Sequence, residues 1–219
     1  MVAMLHGKCN YVTELPGCTL PGVPRPRTHD DALRVRLLDR AGVLLSKEGI
    51  SALSLRRLAA DVGTSTTAVY SLFGGKPALV KELFVEAFHR FGSRLRVVPR
   101  TDDAAEDLIQ LGLAYRHSAL ADPHLYPIMF ANIVPGFEPD EQVTEEAMAS
   151  LTPLIDVVQA GIADGVFVDV PADVVVMSCW GIAHGLVSLE LNGYAPEDLD
   201  LDTSYERALR ANLAGWQKV

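Results

Sequence analysis

Four consecutive hydroxyl-bearing residues, Thr64, Ser65, Thr66 and Thr67, follow Gly63 at the predicted start of a short helix. Hydroxyl side chains disfavour a helix interior, because they compete for its backbone hydrogen bonds, but they suit the first turn of a helix. A helix that only packs against its neighbours gains nothing from four of them. The segment therefore predicts a helix whose first turn hydrogen-bonds a polar partner.

The residues around these hydroxyls have the spacing of a helix-turn-helix. Ala59 is a small residue at the point where two short helices would cross, and Gly63, four residues later, permits the left-handed backbone of a sharp turn. Val69 and Leu72, three residues apart, give the second helix an apolar inner face. Each match is weak alone, but the combination is specific, and it predicts a helix-turn-helix over 55–73.

A helix-turn-helix places its second helix in the major groove of DNA, with the N-terminal residues on the bases. Threonine offers a hydroxyl to a base edge or phosphate and a methyl group to the thymine methyl. Tyr70 and Lys76 suit phosphates, although Tyr70 is also compatible with core packing, and the two arginines before the turn with a solvated face. The predicted contacts to double-stranded DNA are Ser54, Arg56, Arg57, Thr64, Ser65, Thr66, Thr67, Tyr70, Ser71 and Lys76, with Arg25 and Arg27 as further phosphate contacts.

The segment LSLRRLAADVGTSTTAVYSLFGGKPALV resembles the N-terminal DNA-binding region of TetR-family transcriptional regulators, including the Tyr-x-x-Phe-x-x-Lys spacing of Tyr70, Phe73 and Lys76. The resemblance covers roughly residues 30–95 and is highly specific. It implies a homodimer that binds a palindromic operator, most often as a repressor, and is released when a small-molecule effector binds the C-terminal domain. A pair of threonines stands where a Lys-Gly or similar pair is common in the family, so the operator sequence cannot be borrowed.

Three segments are predicted along the chain. Residues 1–28, with four prolines and three glycines, are expected to form a flexible N-terminal arm. Residues 29–96 are assigned to the TetR-type helix-turn-helix domain. Residues 97–219 are assigned to a C-terminal regulatory domain for ligand binding and dimerisation.

Helical periodicity runs through both predicted domains. The first helix is expected near Asp30, with Asp30 or Thr28 as its cap, and it stops at Gly49. The fold class is therefore predicted as all-α, with a three-helix helix-turn-helix domain joined by a long helix to a helical C-terminal domain. Only GVFVDV, beside Gly165, has a short strand-like alternation. Later helices are predicted over about 76–95, 141–163, 171–192 and 203–217. A further helix, with Thr101 as its N-cap, is predicted between the first two of these.

The charges are unevenly distributed. The chain has 219 residues and a net charge of −9, but residues 1–96 carry 14 Lys and Arg against 8 Asp and Glu, whereas residues 97–219 carry 5 against 20. A basic first part joined to a strongly acidic second part suggests two separate tasks, of which DNA binding belongs to the first. The acidic balance hints that the second part accommodates a cationic or neutral ligand more easily than an anion.

Cysteine usage and hydropathy favour a cytoplasmic protein. The three cysteines, Cys9, Cys18 and Cys179, do not form a disulfide framework, and the first residues lack the apolar stretch of a signal peptide. The longest uncharged run, 174–189, is 16 residues long, whereas a membrane span needs about 20 apolar residues. It is therefore predicted as a buried helix, with no membrane partner.

That apolar run carries a second resemblance. Trp180, His184 and Gly185 are similar to the Trp…His-Gly signature of the WHG-type C-terminal domain of some TetR relatives. Gly181 and Gly185 form a stripe of small residues that lets another helix approach closely, which favours a four-helix interface with a second subunit. The alternative is that Trp180 and His184 contact a ligand.

A ligand site in the middle helices would combine an apolar wall with a few polar groups. An ordinary core has the same composition, so these residues are also compatible with plain packing. With the Trp and His of the preceding motif, the ligand-binding candidates are Tyr115, His117, Tyr126, Met129, Phe130, Asn132, Trp180 and His184.

No enzyme motif is recognisable in the chain. The six histidines are scattered, and a zinc site in the arm around His6, Cys9 and Cys18 would lack a fourth ligand, so no metal and no cofactor are predicted. The GGK segment fails as a phosphate loop, because Tyr70 occupies the position of its first glycine and Pro77 that of its Ser or Thr. The remaining alternative is a scaffold that uses the helix-turn-helix only for protein contacts.

Overall fold

The computed structural model describes residues 27–131 and 133–218, and in these ranges the one β-pairing is an isolated antiparallel bridge between Phe167 and Gln217. The predicted all-α fold is confirmed, and the GVFVDV segment contributes only that bridge. The helices are α1 (Arg27–Glu48), α2 (Leu55–Val62), α3 (Thr66–Phe73), α4 (Lys76–Arg96), α5 (Ala104–Ala121), α6 (Tyr126–Phe130), α7 (Glu141–Ala163), α8 (Ala172–Leu191) and α9 (Leu201–Ala214).

Two of the predicted helix starts are wrong. α1 begins at Arg27, so Thr28 and Asp30 lie inside its first turn instead of capping it. Asp103, and not Thr101, is the N-cap of α5, where its carboxylate accepts from two backbone N–H groups at 3.0 Å. Thr101 instead donates its hydroxyl to the buried carboxylate of Asp107 at 2.8 Å. The rest of the predicted arm, residues 1–26 with Arg25 and the zinc alternative, lies outside the described residues.

A first hydrophobic core holds α1, α2, α3 and the first half of α4 together. α1 contributes Leu37, Ala41 and Leu44, which recur at helical spacing and are fully buried. The same core receives Leu125 and Ile128 from the chain around α6. The helices of the predicted helix-turn-helix are therefore packed directly against part of the predicted C-terminal domain.

A second core joins the end of α4 to α5, α7, α8 and α9. α4 belongs to both cores, because Leu79 and Leu83 pack in the first and Phe91 and Leu95 in the second. α7 runs unbroken through Pro153 and lies along α4 and α5. A single continuous helix thus connects the two halves of the molecule.

α8 is long and apolar enough, by length and composition alone, to cross a membrane. It was predicted as a buried helix, but only 22% of its most apolar window is buried within the chain. Val175, Ala183 and Val187 face the second core, whereas Met177 on the opposite side is 58% exposed. The prediction therefore holds for one face only, and the other face is apolar without being covered by the described part of the chain.

Candidate DNA interface and ligand cavity

The turn between α2 and α3 is built as the spacing predicted. Leu58 and Ala59 are buried where the two helices meet. Gly63 ends α2 with a left-handed backbone, at φ +73°, and the N–H of Thr64 donates to the carbonyl of Ala59 at 2.9 Å. Because a residue with a side chain is strained at positive φ, glycine suits this turn. The turn fixes the direction in which α3 leaves.

Ser65 caps α3. Its hydroxyl oxygen accepts from the backbone N–H of Ala68 at 3.1 Å, as an N-cap serine does. Val69 and Phe73 anchor the inner face of the helix in the first core, with Leu72 partly buried beside them. Phe73 thus shares the anchoring role that was predicted for Leu72, and the opposite face of α3 points away from the protein.

Four of the predicted DNA contacts lie on α3 itself. Thr67 and Ser71 are exposed, Thr66 is half-buried, and the ring of Tyr70 is 54% exposed. The alternative that Tyr70 is a core aromatic is therefore wrong. Ser54 is the N-cap of α2 by position, but its side chain makes no cap hydrogen bond, so its hydroxyl remains available to a partner.

The two arginines of α2 have different surroundings. Arg57 is held by the carboxylate of Glu48 through two hydrogen bonds of 2.7 and 2.8 Å, and Asp61 lies 3.9 Å away. The hydrogen bond to Glu48 raises the pKa of the Arg57 guanidinium. Arg56 is exposed and forms no ion pair with the described residues. Of the two, Arg56 is the less encumbered cation for a phosphate.

Lys76 begins α4 and is already engaged within the protein. Its ammonium donates to the backbone carbonyl of Ile50 at 2.7 Å. An ammonium has three N–H donors, so two remain for another acceptor. The predicted phosphate contact is compatible with this geometry and, if it forms, the Ile50 carbonyl would hold the ammonium in position.

A cavity of about 370 Å³ lies in the C-terminal half. Side chains from α4, α5, α6, α7, α8 and α9 surround it, and nearly all of them are apolar. Aromatic rings form one wall, where Phe91 packs edge-to-face against Tyr115 with ring centroids 4.8 Å apart. Its volume falls in the range of small-molecule sites, about 300–1,000 Å³.

A polar cluster backs this aromatic wall. The hydroxyls of Tyr115 and Tyr126 are hydrogen-bonded at 2.9 Å, and Nδ1 of His184 lies 3.1 Å and 2.7 Å from them, respectively. Burial lowers the pKa of His184 and raises the pKa of both phenols, so all three groups are neutral near pH 7. When the ring proton is on Nε2, 3.5 Å from the hydroxyl of Ser188, Nδ1 can accept from one of the two tyrosines while the other tyrosine donates to the hydroxyl of the first.

The structure brings most, but not all, of the predicted ligand residues together. Tyr115, Met129, Phe130 and Trp180 line the cavity, with Tyr126 and His184 behind them in the polar cluster. The structure does not bring His117 to this cavity; it lines a separate open groove with Arg94 and Arg116. Asn132 lies outside the described residues.

Sequence reasoning missed the wall that α7 contributes. Met148, Leu151 and Leu154 line the cavity, as do Ile182 and Ala183 of α8. Their spacing of three residues along α7 marks one helix face. That signal was present in the sequence, but it is the same for a face that meets a cavity and for one that meets a solid core.

α6 lies between the cavity and the helix-turn-helix domain. Ile128, with Leu125 just before the helix, packs in the first core, whereas Tyr126 packs in the second and Phe130 lines the cavity. Before α6, the ring of His124 lies so close to Gly42 of α1 that a Cβ added there would be 2.8 Å from it. Any movement of α6 therefore bears on α1 and α4.

Comparisons with known proteins agree with this architecture. Residues 37–83 match the model for bacterial regulatory proteins of the tetR family, and residues 108–212 match the tetracyclin repressor-like C-terminal domain. The second match contains the Trp180–His184 motif. An HTH-type transcriptional regulator of Mycobacterium tuberculosis is 25% identical over 152 residues, which are 68% of this chain and 65% of that protein.

Solved structures give the same picture. A protein of unknown function from Rhodococcus sp. RHA1 has a TM-score of 0.73 at 28% identity, over 85% of this chain and 96% of that one. A TetR family transcription regulator from Marinobacter aquaeolei VT8, at 20% identity, shares the fold with a TM-score of 0.73 over 89% of this chain and all of that one. With both family models together matching more than half of the chain, the protein belongs to the TetR family of bacterial transcription regulators and is not an enzyme.

Proposed function

We propose that the protein is a ligand-responsive transcriptional regulator that binds a palindromic operator as a homodimer and is released by a small molecule. Repression is the expected mode, because a protein that leaves DNA on binding its effector blocks transcription only in the effector's absence. The family supports DNA binding in general, while operator, dimer and effector are proposals. The chain spans only 65% of the length of the curated relatives it matches, so these finer properties are proposed and not carried over from them.

The observation that carries the proposal is the outward first turn of α3. Thr67 and Tyr70 are exposed on a helix whose inner face is fixed by Val69 and Phe73. A helix held this way by a tight turn can enter the major groove, about 12 Å wide, without rearranging the domain. Short hydroxyl side chains allow the backbone to approach the bases closely.

The uncovered face of α8 supports a dimer. Val174, Met177, Gly181, Gly185 and Leu189 recur every three or four residues, and the three larger side chains are all substantially exposed. A Cβ added to either glycine would meet no atom of the described residues within 4 Å, so no contact among them requires glycine there. A second copy of α8 gives the stripe a partner, since small residues let two helices approach closely.

The cavity and α6 support release by an effector. A molecule that enters the cavity contacts Phe130 and Met129, and the same short helix anchors Ile128 in the core of the helix-turn-helix domain. A ligand shifts DNA affinity only if it binds the two conformations differently. Displacement of α6 supplies such a difference, because it moves α1 and α4 with it. A cytoplasmic location follows from operator binding.

Selection of bound fragments from random double-stranded DNA tests the proposal. The unchanged protein should enrich a palindrome with half-sites about 34–36 Å apart, or farther apart in register with the groove. Thr67→Ala should lose discrimination at one position of each half-site, by about 1–3 kcal/mol. Thr152→Ala, an exposed threonine of α7, is the matched control and should leave the selected sequence unchanged.

Three outcomes would contradict the proposal. Equal, weak binding to every duplex would favour a scaffold that uses the helix-turn-helix for protein contacts. Protection of a single half-site would contradict the dimer. If Thr67→Ala selects the same palindrome with the same preference at every position, Thr67 does not contribute to base recognition.

A further inference from the structure

The cavity wall is uncharged. The described residues that form it include no side chain of Lys, Arg, Asp, Glu or His. The many carboxylates of the C-terminal half therefore lie elsewhere, and the expectation that they favour a cationic or neutral ligand over an anion has no basis in the wall of this cavity. Whatever binds there meets hydrocarbon and aromatic surface.

The few polar groups of the wall are largely satisfied by the protein itself. The hydroxyl of Ser150 donates to the carbonyl of Ala147 at 2.6 Å, and Oδ1 of Asn212 accepts from Ser178 at 2.8 Å. The hydroxyl of Tyr115 belongs to the polar cluster with Tyr126 and His184. The indole N–H of Trp180 is buried without a hydrogen-bond partner among the described residues, and the amide of Asn212 donates only to Cys179 Sγ, at 3.8 Å, so few donors are left for a ligand.

These two facts disfavour ions in the cavity. A charge moved from water into an apolar site without a partner loses its hydration, which costs several kcal/mol even after the site relaxes. An uncharged molecule that is mostly hydrocarbon loses little hydration and buries its surface against the rings. The uncharged wall therefore favours neutral over charged ligands, whatever their shape.

The volume sets the size of the molecule. A dry cavity of about 150 Å³ lined by Leu, Ile and Phe holds benzene, or about 25 Å³ for each non-hydrogen atom. At the same density, a cavity of about 370 Å³ accepts about fifteen non-hydrogen atoms. Two fused rings with a substituent, or a medium-length acyl or alkyl chain, have this size.

We propose that the effector is an uncharged, predominantly hydrocarbon molecule of about fifteen non-hydrogen atoms, with few hydrogen-bonding groups inside the cavity. This inference rests on the proposed function, in which the cavity is the effector site. It goes further by naming the class of ligand: neutral aromatic or aliphatic compounds, and neither organic anions nor amines that are protonated near pH 7.

Two fluorescent dyes with one carbon frame test this selectivity. N-phenylnaphthylamine is uncharged and about the size of the cavity, and anilinonaphthalene sulfonate adds a single anionic group. The full-length protein, without DNA, should bind the uncharged dye once per chain and at least about a hundredfold more tightly than the sulfonate. Equal affinity, or preference for the sulfonate, overturns the inference.

Two variants tie the selectivity to the cavity. Met148 lines the cavity and is 54% exposed, so a lysine can replace it without being forced into the core. Met148→Lys should reduce the ratio of the affinity for the uncharged dye to that for the sulfonate at least tenfold. Val97→Lys, at an exposed position away from the cavity, should leave this ratio unchanged. Leu154→Trp places a larger side chain in the cavity and should lower the affinity for the uncharged dye at least tenfold. If Met148→Lys changes the preference no more than Val97→Lys does, the dyes bind elsewhere and the inference fails.

Release of DNA is measured separately, so that the two proposals can fail independently. If the charge selectivity holds but no uncharged compound of this size releases the selected operator, the cavity chemistry stands and regulation by an effector fails. If an anionic compound releases the operator and binds the cavity, the regulatory proposal stands and the ligand class is wrong.

Discussion

Replacement of Lys76 by alanine tests whether its ammonium holds a DNA phosphate. The side chain leaves the start of α4 and donates to the carbonyl of Ile50 at 2.7 Å. This contact joins positions 26 residues apart, and it orients the ammonium with two donors unused. The change removes one positive charge per chain beside α3, and with it the hydrogen bond to Ile50.

The magnitude follows from counterion release. Each neutralised phosphate contributes about 0.9 to the slope of log affinity against log salt, so a dimer that loses two lysine contacts should lose about 1.8. When salt rises from about 50 to about 200 mM, the loss of operator affinity should therefore be about tenfold smaller for the variant than for the unchanged protein. Loss of the Ile50 hydrogen bond should also lower the free energy of unfolding by about 1 kcal/mol.

The measurement is operator affinity at several salt concentrations, with denaturant unfolding of the same samples. Lys81→Ala is the matched control, because Lys81 lies on the same helix and is paired with Asp140 at 2.6 Å. It makes the same change in net charge and should leave the salt slope unchanged. A Lys76→Ala protein that is less stable but keeps the full slope would refute the phosphate contact and leave Lys76 a structural residue.

Three further predictions concern stability and assembly. Gly161→Ala should destabilise the fold by about 1–3 kcal/mol in denaturant unfolding, because the new Cβ would lie 2.2 Å from the ring of Phe167; an unchanged midpoint would contradict that packing. Burial lowers the pKa of His184 below its unfolded value near 6.5, so the unfolded state binds more protons, and unfolding free energy should fall as pH drops below about 6.5. His184→Gln should flatten this dependence, and an equally steep profile would show that other groups cause it. Met177→Asp should give monomers in sedimentation velocity, whereas Val97→Asp, also exposed but off the α8 stripe, should not; a stable Met177→Asp dimer would place the interface elsewhere.

Local signals in the sequence predicted the helix-turn-helix well. Gly63 and Ser65 act through their own backbone and nearest neighbours, so their roles could be inferred from residue type and spacing. Thr101 shows the limit of that reasoning, since Thr101 and Asp103 are both good caps. The choice between them depends on which side chain hydrogen-bonds the buried Asp107. Thr101 donates its hydroxyl to that carboxylate, which leaves Asp103 as the cap.

The cavity was harder to predict, because it depends on how helices are rotated against one another. Tyr115 and His117 are two residues apart, which is about 200° around a helix, so only one of them can face a given pocket. Tyr115 faces the cavity and His117 faces the open groove. Similarly, the contact of Lys76 with Ile50 joins distant positions of the chain, and nothing local in the sequence indicates it.

The division of α6 between two cores implies that sensing and binding can be lost separately. Ile128 does not line the cavity, yet it is fully buried in the core beneath α2 and α3. Under the proposed function, a smaller residue there would let α6 move when the effector binds without displacing α1 and α4. Such a variant would still bind its operator and its effector, but the effector would no longer release it from DNA.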